Sequence, residues 1–138
     1  MTYILRFRAH SRFRWGFDVH NRGSSAVRIE GIETTPAYWR GPFRITGLQL
    51  QHRPRYAGLA GATSEPLTIP PDGFGLVIPV LETQARCNLV PGGAQTFDSV
   101  TLKYSYRGGH KTQVYPMPMV VGMVCGDPRR VVDQMLGP

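Results

Sequence analysis

Apolar and polar residues alternate with a period of two over much of the chain. The clearest run covers residues 12–20, where the apolar positions are Phe13, Trp15, Phe17 and Val19 and the polar ones Arg12, Arg14, Asp18 and His20. Successive side chains of a β-strand point to opposite faces, so this period is typical of strands buried on one side. Residues 2–8, 27–30 and 99–106 show the same alternation.

Turn sequences separate these runs. Glycines at 23 and at 108–109 lie between alternating runs, which predicts two β-hairpins. A proline-glycine turn over 71–73 predicts that a new strand begins at about Phe74 and continues to Thr83. Pro79 within that strand favours an edge position or a bulge, because proline cannot donate to a sheet ladder.

Seven or eight short strands, frequent turns and almost no helical periodicity predict an all-β fold of one domain. An antiparallel sandwich is the expected architecture, and a small barrel is the alternative. Asp127 and Pro128 can cap and begin a helix. We therefore expect the β domain to cover residues 1–126, followed by a tail or a short helix over 127–138.

Composition narrows the class of protein. With 41% hydrophobic and 18% charged residues, the chain has the composition of a folded globular protein. The net charge of +7 comes almost entirely from arginine, which suits phosphate or carboxylate partners but can equally reflect coding composition. The chain has no apolar run long enough for a spanning helix or a signal peptide, so it either stays inside the cell or belongs to a longer exported protein.

The two cysteines, Cys87 and Cys125, are too few for a disulfide-framework miniprotein and lack the spacing of a zinc site. They can pair with each other. A disulfide between them would stabilise the fold by about 3 to 4 kcal/mol on the chain-entropy model and would indicate an oxidising compartment.

Three segments in order carry a resemblance to a known type of domain. They are residues 17–29 with their glycine turn, the turn at 71–73 with the apolar strand that ends near Cys87, and residues 100–104 before a glycine hairpin and the late Cys125. Together the segments resemble immunoglobulin-like domains of actinobacterial exported or membrane-anchored proteins of unknown function. The resemblance covers roughly residues 13–125.

The resemblance implies an immunoglobulin-like sandwich outside the cytoplasm, secreted or tethered by an upstream membrane helix, in which Cys87 and Cys125 are paired. It implies no activity. The chain departs from antibody domains, where a tryptophan lies between the paired cysteines, because Trp15 and Trp39 both precede Cys87. The disulfide typical of antibody domains is therefore not expected.

Catalytic patterns are not apparent in the sequence. The chain has no Gly-x-Ser-x-Gly elbow, its four histidines are scattered, and its nine acidic residues are dispersed. Met117, Met119, Met123 and Cys125 share one face of a predicted strand, which suits Cu(I) if Cys125 is a free thiol. Core packing by methionine is the favoured interpretation, so no cofactor is expected.

Two groups of side chains are candidates for binding. Tyr38, Trp39 and Tyr56 can form a stacking platform for a sugar or a partner, although Trp39 can instead close one end of the sandwich. Arginines alternate with aromatics near the N-terminus, but acidic residues are mixed in, so nucleic acid is not the expected partner. We expect a non-catalytic, extracytoplasmic protein-interaction or accessory domain, with a copper-binding domain or a carbohydrate-binding module as alternatives.

Overall fold

The structure is a computed structural model that describes residues 2–36, 38–39, 41–52, 61–89 and 93–126. Within these ranges the chain forms nine strands and no helix, which confirms the all-β prediction for this part of the chain. In chain order the strands are β1 (Thr2–Arg6), β2 (Arg12–Arg14), β3 (Phe17–His20), β4 (Val27–Ile32), β5 (Phe43–His52), β6 (Leu67–Ile69), β7 (Phe74–Thr83), β8 (Ala94–Tyr106) and β9 (Gly109–Val124). The tail or helix predicted over 127–138 lies outside the described residues.

The number of strands differs from the predicted seven or eight. The alternating run over 12–20 is divided into β2 and β3, whereas the strand after the glycine turn at 108–109 and the strand with the methionine row form the single strand β9. The short strand β6 was not predicted and accounts for the higher number. The predicted hairpin at Gly108 is present, because β8 and β9 pair antiparallel on either side of this turn. The hairpin predicted at Gly23 is wrong: β3 and β4 flank the turn but lie in different sheets, so the turn connects the two sheets.

The strands form two sheets in a sandwich-like arrangement. The first sheet has the order β1-β9-β8-β4-β6. In the second sheet β7 lies at the centre, with β5 along one side and both β2 and β3 along the other. The prediction that all strands pair antiparallel is wrong for β1, which runs parallel to β9 with Thr2 beside Val120 and Arg6 beside Val124.

The strands β2 and β3 are one edge strand with a break. Arg14 lies beside Val80 and Phe17 beside Val77, so the register to β7 is the same before and after the break. Continuing that register places Trp15 opposite the proline at position 79. The break therefore has a local cause in β7.

Proline chemistry explains the break. Thr83 donates its backbone N–H to Ser11, and Asn21 donates its N–H to Gly73, so odd-numbered residues of the edge strand direct their backbone groups toward β7. Position 79 would have to donate to Trp15, but proline has no N–H. The expectation that Pro79 marks an edge strand is wrong, because β7 is paired on both sides.

A bulge, the alternative expected at Pro79, lies on the neighbouring strand β5. The register between β5 and β7 shifts between Ile45 and Gly47, directly before Leu48, the residue that pairs with Pro79. The backbone groups of residue 79 point toward the edge strand, so β5 pairs with β7 through this position without needing a proline donor.

The core lies between the two sheets and is made of aliphatic and aromatic side chains. The larger cluster contains Phe17, Ile29, Ile32, Leu50, Leu67, Ile69, Val77, Val100, Leu102, Met117 and Val121. A smaller cluster contains Phe43, Leu81 and Met123, and Trp15 packs against both clusters. Burial of each large aliphatic side chain contributes roughly 1.5 to 3 kcal/mol, which makes this packing the main source of stability.

Asn21 is a buried polar residue that anchors the β3–β4 turn. Its Nδ2 lies 2.9 Å from the carbonyl oxygen of Ser25, 3.0 Å from that of Ile69 and 3.2 Å from that of Pro70. Its Oδ1 accepts a hydrogen bond from the backbone N–H of Gly23 at 3.0 Å. One amide therefore folds the turn and attaches it to the segment that leads into β7.

We expect the variant Asn21→Ala to lower the free energy of unfolding by about 3 kcal/mol, because it leaves buried carbonyl groups without a donor. Denaturant unfolding measures the change. The matched control is Arg22→Ala, an exposed neighbour, which we expect to change stability by less than about 0.5 kcal/mol. Equal midpoints for the wild type and Asn21→Ala would show that the turn does not depend on this amide.

Candidate functional site

The structure contains the disulfide between Cys87 and Cys125, with Cα atoms 5.7 Å apart. Cys87 lies after β7, and Cys125 directly follows β9. The bond spans 38 residues, which corresponds to a stabilisation of about 4 kcal/mol on the chain-entropy model. It fixes the end of β9 against the connection that follows β7.

The predicted methionine row faces the core. Met117 and Met123 are buried, and Met119 is partly buried against the larger cluster. The copper alternative required a thiol at Cys125, but this residue is in the disulfide. Among the described residues, no group of three or more His, Cys, Asp or Glu side chains is placed to hold a metal ion. The geometry favours the packing interpretation of the row.

The loop aromatics are placed differently from one another. Tyr38 is 83% exposed and Trp39 is 44% exposed, whereas Tyr56 lies outside the described residues. The backbone N–H of Trp39 donates to the carbonyl of Pro36 at 3.0 Å, which forms a turn. A Cβ at residue 41 would overlap the indole nitrogen, so the position of Trp39 depends on Gly41.

Trp39 borders a depression of about 370 Å³ next to β4, β5 and β8, which we call the Trp39 recess. Besides the indole, its lining includes the carboxylate of Glu33, the hydroxyls of Thr34 and Ser99, and the amide of Gln95. Thr35 fixes one wall, because its Oγ1 accepts the N–H of Ile45 at 2.9 Å and its own N–H donates to the carbonyl of Ile45.

A second depression was not predicted and lies under the β8–β9 hairpin. Along the inward face of β8, Val100 and Leu102 are buried, and Tyr104 and Tyr106 are only half-buried. The residues paired with them on β9 are Tyr115, Gln113, Lys111 and Gly109, and the Gln113 and Lys111 side chains are exposed. Inward positions become exposed toward the tip of the hairpin, so the second sheet does not cover this end.

We call this depression the tyrosine cleft, defined by Tyr104, Tyr106, Lys111, Gln113 and Tyr115 on the hairpin and residues 19–23 opposite them. Its volume is about 370 Å³, and its apolar floor includes Val27, Ile29 and Leu102. The ring of Tyr115 is stacked on that of Phe17, with centroids 5.7 Å apart. This stack closes the inner end of the cleft.

The opposite wall of the tyrosine cleft is also fixed by side-chain contacts. The imidazole of His20 stacks on the ring of Phe74, with centroids 4.3 Å apart. His20 Nε2 lies 2.7 Å from Oδ1 of Asp72, a residue of the turn before β7. The wall is therefore positioned before any ligand binds.

The rim of the cleft carries positive charge. Arg107 donates from Nε to the hydroxyl of Ser25 at 3.2 Å and from a terminal nitrogen to that of Ser24 at 3.3 Å. Its guanidinium carbon is 5.4 Å and Lys111 Nζ is 5.7 Å from the ring centroid of Tyr106. The serine hydroxyls first, and then the two positive charges, lower the pKa of Tyr106 below the usual 10.0.

The tip of the hairpin holds Arg107 in a strained backbone conformation. Arg107 has a φ of 50° and Gly108 a φ of 77°, the left-handed pair of a two-residue hairpin turn. A non-glycine residue in this region costs about 1 kcal/mol or more. The contacts to Ser24 and Ser25 offset this cost and hold the guanidinium at the rim.

A weak signal for the cleft is present in the sequence. Inward positions of β9 between the turn and Tyr115 are Lys111 and Gln113, where a covered strand would have apolar residues. The adjacent outward position, Val114, is apolar and 63% exposed. This inverted pattern is the feature that could have indicated an open end of the sandwich.

No protein-family model and no curated protein matches the chain. The described ranges contain no helix with the length and apolar character needed to cross a membrane. Fold and site geometry therefore define the class: a sandwich-like all-β domain with a disulfide, a basic tyrosine cleft and a tryptophan-bordered recess.

We expect Tyr106 to be the first tyrosine to ionise as pH rises, and Tyr106→Phe to remove this earliest transition. Because the pKa is lowered in the folded protein, ionisation stabilises the fold above the ordinary pKa of tyrosine, and this contribution is lost as pH falls through the folded value. Phenolate absorbance measures the transition.

The control for this titration is Tyr104→Phe, which should retain the earliest transition. Replacing Arg107 with Gln should move the transition to higher pH, because one positive charge and the contacts to Ser24 and Ser25 are removed. An earliest transition that survives in Tyr106→Phe would show that the rim charges do not act on this ring.

Proposed function

We propose that this chain is a non-catalytic, extracytoplasmic protein-interaction domain that binds its partner through the tyrosine cleft. The observation that carries the proposal is the open hairpin face, where Tyr104, Tyr106 and Tyr115 line a preformed cleft. Tyrosine provides a large contact area with little conformational entropy to lose, and it is enriched at protein interfaces. A partner segment in the cleft would cover the part of the hairpin that the second sheet leaves exposed.

We infer that the sandwich is immunoglobulin-like. In support, β2–β3, β7 and β5 lie side by side in one sheet, and β4, β8 and β9 in the other. These sets correspond in chain order to strands B, E, D and C, F, G of an immunoglobulin domain. Two additions, β1 beside β9 and β6 beside β4, widen the second of these sheets. The resemblance to actinobacterial exported domains stays a prediction.

The disulfide supports the extracytoplasmic part of the proposal. Disulfides persist in secreted and cell-surface proteins, whereas cytosolic proteins keep their thiols reduced. The bond between Cys87 and Cys125 also fixes the end of β9, the strand that carries Lys111, Gln113 and Tyr115. An oxidising location would therefore preserve the scaffold of the cleft.

Site-specific photocrosslinking in the native organism tests the proposal. A benzophenone amino acid at Gln113 lies in the cleft, and the same group at Thr112 lies on the outward face of the same strand, where it is equally accessible. We expect the Gln113 variant, and not the Thr112 variant, to form an adduct with a protein located outside the cytoplasmic membrane.

The same experiment has three contrary outcomes. Equal adducts from both positions would show that the cleft has no special role. No adduct from either position would count against a protein-interaction domain. Adducts only with cytosolic proteins, together with free thiols at Cys87 and Cys125 in the extracted protein, would contradict the proposed compartment.

Carbohydrate binding at the Trp39 recess is a second candidate function. The specific observation is that the partly exposed indole adjoins a carboxylate at Glu33, hydroxyls at Thr34 and Ser99 and an amide at Gln95. A sugar ring has one apolar face and several hydroxyls, so a recess with one aromatic side chain and a few polar groups suits it.

For this candidate we expect Trp39→Ala to weaken binding on a glycan array without a large fall in melting temperature. The control is Gln113→Ala, which changes the other depression and should leave glycan binding intact. A wild-type protein that binds no glycan eliminates the candidate. Loss of folding in Trp39→Ala would instead assign Trp39 a structural role.

A further inference from the structure

The positive charges at the tyrosine cleft are concentrated on its rim. Arg22 and Lys111 line the opening. Arg107 lies beside it, over the ring of Tyr106, and is held there by Ser24 and Ser25. These contacts use two of the five N–H groups of its guanidinium. A fixed, partly engaged arginine is prepared to bind an anionic group, because little side-chain freedom remains to be lost.

Among the described residues, none of the acidic side chains lines the tyrosine cleft itself. Asp72 lies 2.7 Å from His20 on the opposite wall. Glu30 contacts Nδ1 of His110 at 3.1 Å, and it lines a separate depression that also includes Lys103, Lys111 and His110. Asp18 alternates with the inward-facing Phe17 and Val19, so it belongs to the outer face of β3. A ligand therefore meets a positive rim above a tyrosine-lined interior.

The shape of the cleft restricts the ligand further. The volume of about 370 Å³ accommodates a few side chains and excludes a folded domain. Its two walls, the end of β3 and the hairpin β8–β9, belong to different sheets, so the opening is a slot between sheets rather than a platform. An extended segment can lie across such a slot and direct alternate side chains inward.

From these features we propose that the occupant of the cleft is an extended acidic polypeptide segment. Its carboxylates bind Arg22, Arg107 and Lys111, and an aromatic or aliphatic side chain enters between Tyr104 and Tyr115. The inference rests on the proposed function and adds the chemistry of the partner. In this proposal the tyrosines provide contact area, and the rim charges select acidic sequences.

Single-stranded nucleic acid is the competing occupant, because it also combines negative charge with flat rings. Two observations favour a polypeptide. The tyrosines stand inside a slot, whereas successive stacked bases need an open aromatic surface. The disulfide favours a compartment outside the cytoplasm, where protein segments are present and nucleic acid generally is not.

The test uses a phage-displayed library of short random peptides, selected on the full, disulfide-bonded chain. We expect the selected peptides to be enriched in Asp and Glu next to an aromatic or aliphatic residue, and to compete with photocrosslinking from Gln113. We expect their affinity to fall with ionic strength, since rim charges are screened by salt.

Charge reversal provides the decisive comparison. The double variant Arg22→Glu with Lys111→Glu retains all three tyrosines and Arg107, and should weaken binding of the selected peptides by about tenfold or more. The matched control is Arg12→Glu with Arg14→Glu on the outer face of β2. It makes the same change in net charge and should leave the affinity within about twofold, because those residues are outside the cleft.

Several results would overturn the proposal. Equal losses in the two double variants would show that only net charge acts, and selected peptides without acidic residues would refute the assigned chemistry. Tighter binding of an oligothymidine strand than of the peptides would replace the polypeptide with nucleic acid. A failed selection also overturns it, and a protein adduct at Gln113 would then show that the interaction function survives without the acidic segment.

Discussion

β8 and β9 extend over residues 94–106 and 109–124, whereas β3, which faces them across the core, ends at His20. A sheet face stays apolar only where another layer removes it from water. On this hairpin the buried Val100 and Leu102 give way to half-buried tyrosines as the cover ends. The unequal length of the two layers is the constraint from which the cleft, its lining and its exposure all follow.

The turn between β3 and β4 converts this uncovered end into a defined site. Asn21 holds the turn against the segment before β7, and Ser24 and Ser25 on the turn bind Arg107 at the hairpin tip. The β3–β4 connection is therefore linked to the tip of the β8–β9 hairpin, next to the pairing of Val27 with Tyr106. The left-handed backbone of Arg107 is the conformation that the two-residue hairpin turn requires at this position, and the contacts to Ser24 and Ser25 hold its guanidinium beside the cleft.

Local patterning was enough to predict most of the strands and the β8–β9 hairpin, because alternation and glycine turns act over a few residues. It could not show that the turn at Gly23 connects two sheets instead of two paired strands. The partner of each strand depends on the whole fold, and for this reason the parallel pairing of β1 with β9 and the central position of β7 could not be predicted. Pro79 illustrates the difference. The sequence shows that residue 79 has no N–H to donate. Which neighbour of β7 loses a hydrogen bond depends on the backbone direction of the residues paired with β7.

The candidate sites show the same difference between what the local pattern predicts and what depends on the whole fold. The exposed Trp39 was selected from the sequence because it is an aromatic residue in a loop, whereas the tyrosines were assigned to an ordinary strand. Alternation shows which side chains share a face, but it does not show whether another sheet covers that face. Only Lys111 and Gln113, polar residues at inward positions, indicated that the cover was missing.

The arginine-rich composition had two interpretations, ligand binding and the favoured one, coding bias, and the arginines differ in their position in the fold. Arg12 and Arg14 lie on the outer face of an edge strand that no described strand pairs on its free side, where charged side chains oppose pairing with other chains. Arg22 lines an opening together with three tyrosines, and Arg107 lies beside that opening, over the ring of Tyr106. The arginines thus lie in two different surroundings, an edge strand and the neighbourhood of the cleft, and Arg107 is held in the second by Ser24 and Ser25.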